Sequence, residues 1–284
     1  MNKKIITMLT VFFHFIIFAG FVYGGIKYCL SGKVVYQGIG MENVRVIGYE
    51  VNGHGDFKIT KSDYDGTFYL YLPNGVYNFS VEKKGYLSKD LFKIIRIQDK
   101  NVLNVIFFLE KECKISGMVQ FNDGTPIERA CISVTNDRKD PPFEETDENG
   151  KYTVEGIGAS ENTQVKLIAP GIKPQIKSNI IISEGTHIEG VDFIIEKKVS
   201  ISGKIIDENT QEPLTNKILV SINDGTEYFE ALQNLEGEFT FFNLSPAKYF
   251  LIFFGEDYEQ KVIEIMLSDS GLKNLIVKMK KKQI

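Results

Sequence analysis

Any chemistry in this chain of 284 residues would rest on very few side chains, because it holds three histidines and three cysteines. His14 falls in the apolar start, which leaves His54 and His187. Neither opens the His-x-x-Glu spacing that would begin a zinc site: His54 is followed by Gly55-Asp56-Phe57 and His187 by Ile188-Glu189-Gly190. Two unlinked histidines do not supply a zinc site alone, so both read as solvent-exposed loop residues. Cys131 lies in an expected strand with no nearby histidine to activate it, which favours a buried structural thiol over a nucleophile. Gly32-Lys33 and Gly203-Lys204 lack the upstream glycine of a phosphate loop, and Gly38-Ile39-Gly40 and Gly156-Ile157-Gly158 stop short of a dinucleotide fingerprint. Asp63-Tyr64-Asp65-Gly66 and Asp147-Glu148-Asn149-Gly150 set oxygens beside a glycine, but calcium wants more ligands than these short turns offer. The expectation is no catalytic residue, no metal and no cofactor.

Two stretches suit binding better. Tyr69 and Tyr71 share one face of a strand, opposite Phe68 and Leu70, with Tyr64 and Tyr77 expected nearby. Exposed aromatic rings of this kind suit sugar faces, although the chain has 13 tyrosines and no tryptophan. A solvated β face also favours tyrosine for its propensity alone. The second stretch, Tyr249 to Phe254, is apolar on both faces. A sandwich strand needs only one apolar face, so Phe250, Ile252 and Phe254 must be covered by another part of the chain or by a docking partner.

The elements that must position these residues come in three copies. Ser31-Gly32, Ser116-Gly117 and Ser202-Gly203 each open an alternating apolar run, roughly 85 residues apart. Gly66-Thr67-Phe68, Gly150-Lys151-Tyr152 and Gly237-Glu238-Phe239 keep the same spacing. So do Val105-Ile106-Phe107, Val191-Asp192-Phe193 and Leu275-Ile276-Val277. Short β-branched and aromatic runs, broken by Asp-Gly and Pro-Asn-Gly turns, predict strands throughout. The glycine after each opening serine is expected to allow a close backbone approach or a bulge. Gly66, Gly150 and Gly237 are expected to close tight hairpin turns. The predicted class is all-β: three tandem seven-stranded Greek-key β-sandwich domains at 30–111, 114–197 and 199–282, after an N-terminal segment at 1–24.

That segment carries Lys3-Lys4, then an apolar run to Gly25, with no acidic residue before Glu42. It reads as an export signal, with cleavage after Gly24 or retention as a membrane anchor both open. Either outcome puts the repeats outside the cytoplasm. A net charge of −4 offers no basic surface for nucleic acid. The cluster Lys278 to Lys282 reads as a solvated terminal tail. Export permits a disulfide, and Cys29 with Cys113 would bracket the first repeat, while Cys113 with Cys131 is equally open. The repeats are joined by Glu110 to Lys114 and by Glu196-Lys197-Lys198, neither a flexible spacer.

Taken in order, these landmarks resemble the carboxypeptidase regulatory-like domain, a transthyretin-like sandwich. The resemblance rests on Ile115-Ser116-Gly117-Met118-Val119, Gly124-Thr125-Pro126-Ile127 and Asp147-Glu148-Asn149-Gly150-Lys151-Tyr152 in repeat 2. Repeat 3 adds Glu212-Pro213-Leu214 and Leu244-Ser245-Pro246-Ala247-Lys248-Tyr249; repeat 1 adds Leu72-Pro73-Asn74-Gly75-Val76-Tyr77 and Lys84-Gly85-Tyr86. Repeat 1 lacks the proline turn after its first strand, and repeat 3 has Pro246-Ala247 where the family has Pro-Gly. The resemblance implies a fold and no catalytic residue, since the domain is the non-catalytic companion in metallocarboxypeptidases. Similar modules serve surface proteins and folds grouped with carbohydrate-binding domains. The expected function is a non-enzymatic extracellular spacer, adhesive element or protein-binding module. The alternatives are a carbohydrate-binding accessory protein and a regulatory partner of a separate hydrolase. Expected partners are a cell-surface glycan or another envelope protein, with membrane contact only through an uncleaved N-terminal segment.

Overall fold

The computed structural model describes residues 26–51, 57–136, 141–197, 199–215 and 218–283. The expected export segment at 1–24 and His54 lie outside the described residues. Every regular element among those described is a strand. No helix there is long and apolar enough to cross a membrane.

The chain divides into two compact units, one ending at Lys111 and one beginning at Glu112. The first unit is repeat 1, with β1 (Tyr28–Tyr36), β2 (Ile39–Gly40), β3 (Arg45–Glu50), β4 (Phe57–Lys61) and β5 (Thr67–Leu72). It continues through β6 (Gly75–Glu82), β7 (Tyr86–Ser88), β8 (Lys93–Ile97) and β9 (Val102–Lys111). One sheet runs β2-β1-β9-β7 with β5 also on β1, and the other runs β4-β3-β6-β8. Seven principal strands make the sandwich, and β2 and β7 are short additions. The strand period of two decides which side chains enter: in β6, Tyr77, Phe79 and Val81 are buried and the residues between them are not. With Leu30, Phe68, Leu72 and Phe107 they fill the core, each large side chain contributing about 1.5–3 kcal/mol.

The second unit holds repeats 2 and 3. Repeat 2 contains β10 (Cys113–Phe121), β11 (Cys131–Thr135), β12 (Phe143–Glu145), β13 (Lys151–Ile157) and β14 (Ser160–Ala169). Then come β15 (Ile172–Ile182), β16 (His187–Ile188) and β17 (Phe193–Ile195), the last two both parallel to β10. Repeat 3 contains β18 (Ile201–Asp207), β19 (Leu219–Asn223), β20 (Tyr228–Glu230), β21 (Leu232–Gln233) and β22 (Glu238–Phe241). It ends with β23 (Lys248–Gly255), β24 (Tyr258–Met266) and β25 (Leu272–Met279). The sheets repeat the plan: β12-β11-β14-β15 faces one built on β10, and β20-β19-β23-β24 faces β21-β22-β18-β25. Each repeat therefore pairs its first and last strands in parallel, and each has its own apolar core.

The glycine turns differ from the sequence reading. Gly66 and Gly150 do have positive φ, but they carry the chain from one sheet to the other, β4 to β5 and β12 to β13, rather than closing hairpins. Only in repeat 3, where the short β21 pairs with β22, does the turn join two paired strands. The reason lies in burial: the strand after the turn carries the aromatic of its landmark, and that ring must reach the core beneath the opening glycine.

Candidate functional site

The three sequence landmarks meet at one point in each repeat. Gly32 lies opposite Phe68 across the antiparallel pair, Gly117 opposite Tyr152 and Gly203 opposite Phe239. The parallel partner of Gly32 is Val105 and that of Gly203 is Leu275, with a bulge just before each contact. A Cβ at Gly32 would sit 1.9 Å from the Val105 carbonyl oxygen, and one at Gly203 would sit 2.2 Å from that of Leu275. Only glycine fits between that oxygen and the aromatic ring. In repeat 2 the Tyr152 hydroxyl donates to the Val191 carbonyl oxygen at 2.5 Å, and burial raises its pKa well above the usual phenol value. The self-similar residues are thus spent on packing.

The acidic turns are spent as well. Asp63 Oδ1 accepts from the backbone N–H of Asp65 and Thr67, Asp147 from Asn149 and Lys151, and Asn234 from Glu236 and Glu238. Asp65 binds the Thr67 hydroxyl and the Lys33 ammonium, and these hydrogen bonds, the Thr67 hydroxyl first, hold its carboxyl well below the usual range. These oxygens cap turns, and no cluster of three metal-ligating side chains occurs among the described residues.

His187 lies on β16 beside β10, where its Nε2 is 2.8 Å from Ser116 Oγ and its Nδ1 is 3.7 Å from Glu189. The sequence reading missed this contact because a parallel neighbour is not visible in local spacing. The group lies on the open outer side of the sheet, with Glu189 largely in solvent. It orders a sheet edge.

Cys29, Cys113 and Cys131 are free thiols. Cys113 is fully buried and its Sγ donates to the Ser183 carbonyl oxygen, so its thiol is committed to the core of repeat 2. Cys131 is half-buried and alternates with the core residues Ile132 and Val134, which turns it away from Cys113. The expected Cys29–Cys113 bridge is not formed.

The two expected binding faces are both at the surface. Tyr64, Tyr69 and Tyr71 are 84%, 57% and 64% exposed. Ser31 and Cys29 lie opposite Tyr69 and Tyr71, and β5 pairs with β1 alone, so both tyrosines stand at a sheet edge. Tyr77 does not join them: it is buried, and its hydroxyl donates to the Pro73 carbonyl oxygen. In repeat 3, Tyr249, Leu251 and Phe253 are fully buried, while Phe250, Ile252 and Phe254 point outward. Phe254 is 51% exposed, opposite Leu219, and Ile252 lies beside Val262. Phe250 and Ile252 are half-buried. Lys248 pairs with Glu264 at 2.8 Å and lies over the Phe250 ring, which leaves that ring half-covered.

Repeats 2 and 3 are joined directly. The Gly171 N–H donates to the Glu230 carbonyl oxygen and the Phe242 N–H to that of Gly171, both at 2.6 Å. Gly171 has φ +73, and a Cβ there would lie 2.6 Å from the Thr240 carbonyl oxygen. Lys173 Nζ meets Asp224 at 2.5 Å, and the carboxylate is only 9% exposed. Phe121 packs edge-on against Phe242 at 5.1 Å, with Lys197 Nζ 4.2 Å from the Phe121 ring centre.

Two clefts remain. One of about 430 Å³ lies against Ser202, Lys204, Glu238, Thr240 and Asn274 on the outer side of the repeat 3 landmark. The other, of about 640 Å³, lies at the end of repeat 1 among Arg45, Lys61, Glu82, Lys83, Lys84 and Tyr86.

No family model matches the chain, and no curated protein does. Among solved structures it is similar to a streptococcal ancillary pilin, 12% identical over 91% of this chain and 100% of that one, with a TM-score of 0.33. It is similar to the minor pilin of Streptococcus agalactiae, 12% identical over 60% and 96%, TM-score 0.33. It is also similar to the full-length major pilin SpaD from Corynebacterium diphtheriae, 12% identical over 90% and 98%, TM-score 0.27. Superposition at this level carries no weight for function, which rests on the residues themselves.

Proposed function

We propose that this chain is a non-enzymatic, exported protein that acts outside the cell as a structural or adhesive spacer, or as a protein-binding module. The observation that carries the reading is the convergence of all three repeated landmarks on a packing junction. What the chain repeats is its scaffold, and what differs among the repeats is its surface. The direct joint between repeats 2 and 3 supports a part that holds its geometry. The finer likeness to the carboxypeptidase regulatory-like domain belongs to this proposal, as does export by residues 1–24. The test is antibody labelling and protease shaving of intact cells that make the full chain, with attachment compared in cells lacking it. Surface labelling with reduced attachment is expected; label reached only after permeabilisation overturns the reading.

A second reading, glycan binding, is favoured by one observation: Tyr69 and Tyr71 present two exposed rings two residues apart on the same strand face, about 6.6 Å along the strand. Glycan-array binding that disappears in Tyr69→Ser/Tyr71→Ser, with the fold intact, would support it. Binding unaffected by that pair would remove the tyrosine face as its site.

A further inference from the structure

The cleft in repeat 1 collects positive charge in an acidic protein. Its lining includes Arg45, Lys61, Lys83 and Lys84 against one carboxylate, Glu82, in a chain of net charge −4. Arg45 has Lys61 as its direct cross-strand partner on one side and Glu82 on the other. Glu82 accepts from Arg45 Nη1 at 2.7 Å, so the lining carboxylate is already engaged. Lys61 is left facing a cation, an arrangement that costs stability unless an anion offsets it. Lys83 donates to the neutral carbonyl oxygen of Glu42. Among the described residues, neither Lys61 nor Lys84 has a carboxylate partner.

The cleft is not only charged. Val81, Tyr86 and Leu87 contribute to its wall, and the Tyr86 ring is braced edge-on by Tyr36 at 5.2 Å. A fixed aromatic wall beside guanidinium and ammonium groups suits a sugar ring that carries a carboxylate. Bare phosphate would use the charge and leave the apolar wall idle. We propose that this cleft binds the carboxylate groups of an acidic polysaccharide. The proposal deepens the glycan reading but uses different residues from the tyrosine pair, so the two stand or fall separately.

The probe is oligogalacturonate, titrated calorimetrically into the full chain at low and high salt, with neutral dextran and inorganic polyphosphate as separate arms. Lys61→Glu/Lys84→Glu is compared with Lys151→Glu/Lys273→Glu, which changes net charge equally at exposed positions elsewhere. The expected result is salt-sensitive binding of oligogalacturonate, weakened roughly tenfold or more by the cleft variant. The control variant should change it less than about twofold. Lys61→Glu places an anion opposite Arg45, so the cleft variant is expected to keep its thermal transition. Absence of binding overturns the proposal, as does equal weakening by both variants. Polyphosphate bound as tightly as the uronate overturns the assignment to an acidic glycan.

Discussion

Repeat 1 presents Tyr69 and Tyr71 from an edge strand, whereas repeat 3 presents Phe250, Ile252 and Phe254 from the interior of a sheet. Both repeats hold the same junction of glycine, aromatic ring and parallel carbonyl oxygen, in the sheet of the tyrosines in repeat 1 and in the sheet opposite β23 in repeat 3. At the edge, backbone and side chains are both available to a partner, and the tyrosine hydroxyls keep the face wetted. In the sheet interior the backbone is paired on both sides, so only side chains can be recognised, and they are apolar. The difference teaches that the inner faces set the fold while the outer faces are free to diverge. The cationic cleft of repeat 1 follows the same rule.

The strongest way to break this comparison is to strike the shared interior. Gly32→Val and Gly203→Val each drive a side chain into a carbonyl oxygen, at an expected cost of about 3 kcal/mol or more. Denaturant titration should show similar losses in both repeats. A variant that left stability unchanged would mean that the two junctions are not equivalent.

The next effect is at the joint. Asp224→Asn should cost about 2 kcal/mol, because it leaves the partly buried Lys173 without its anion. The wild type is expected to unfold repeats 2 and 3 in one calorimetric transition, and the variant in two. Asp224 has its pKa lowered, by the Lys173 hydrogen bond first and then by the Thr226 hydroxyl. Its contribution is therefore full above about pH 4 and fades as pH falls through the folded value. Lys173 is raised by the same hydrogen bond, so its contribution persists until pH rises past the ordinary lysine range. Melting in strong acid should separate wild type from Asp224→Asn less than melting at neutral pH.

A smaller effect sharpens the likeness of repeats 1 and 3 against repeat 2. Tyr77 and Tyr249 donate to the carbonyl oxygens of Pro73 and Ser245, each four residues earlier. In repeat 2 the matching position is Thr163, buried with no hydrogen-bond partner for its hydroxyl among the described residues. Tyr77→Phe and Tyr249→Phe should each cost about 1 kcal/mol, while Thr163→Val should cost nothing or stabilise by up to about 1 kcal/mol. Thermal shifts of opposite sign would support the contrast.

The smallest stability effects belong to the outer faces. Phe254→Ser and Tyr71→Ser should each change stability by less than about 1 kcal/mol. Binding of an apolar dye, read by fluorescence, should fall with the first and not with the second. Equal effects would erase the distinction between the two faces.

Much of the interior could be read from residue order. The Ser-Gly, Gly-x-aromatic and Val/Leu landmarks, with a period of two between them, pointed to strands and to a tight glycine contact. They could do so because a strand's inward face is written in alternate residues. The same reasoning identified Phe250, Ile252 and Phe254 as surplus apolar residues, and all three alternate with the buried side of β23. It misplaced Tyr77, whose aromatic ring suits a core as well as a surface. It also took the Gly66 and Gly150 turns for hairpins, because a tight turn looks alike whether or not its flanking strands pair.

What the sequence determined by itself is the repeated sandwich, since burial alternation and turn chemistry act over a few neighbouring residues. Only the tertiary structure decided the Ser116–His187 contact, the Gly171–Phe242 joint and the cleft of Arg45, Lys61, Lys83 and Lys84. Each brings together segments separated along the chain by strand pairing or by packing between repeats. Such proximity depends on register and sheet order, which no local pattern of residue types encodes.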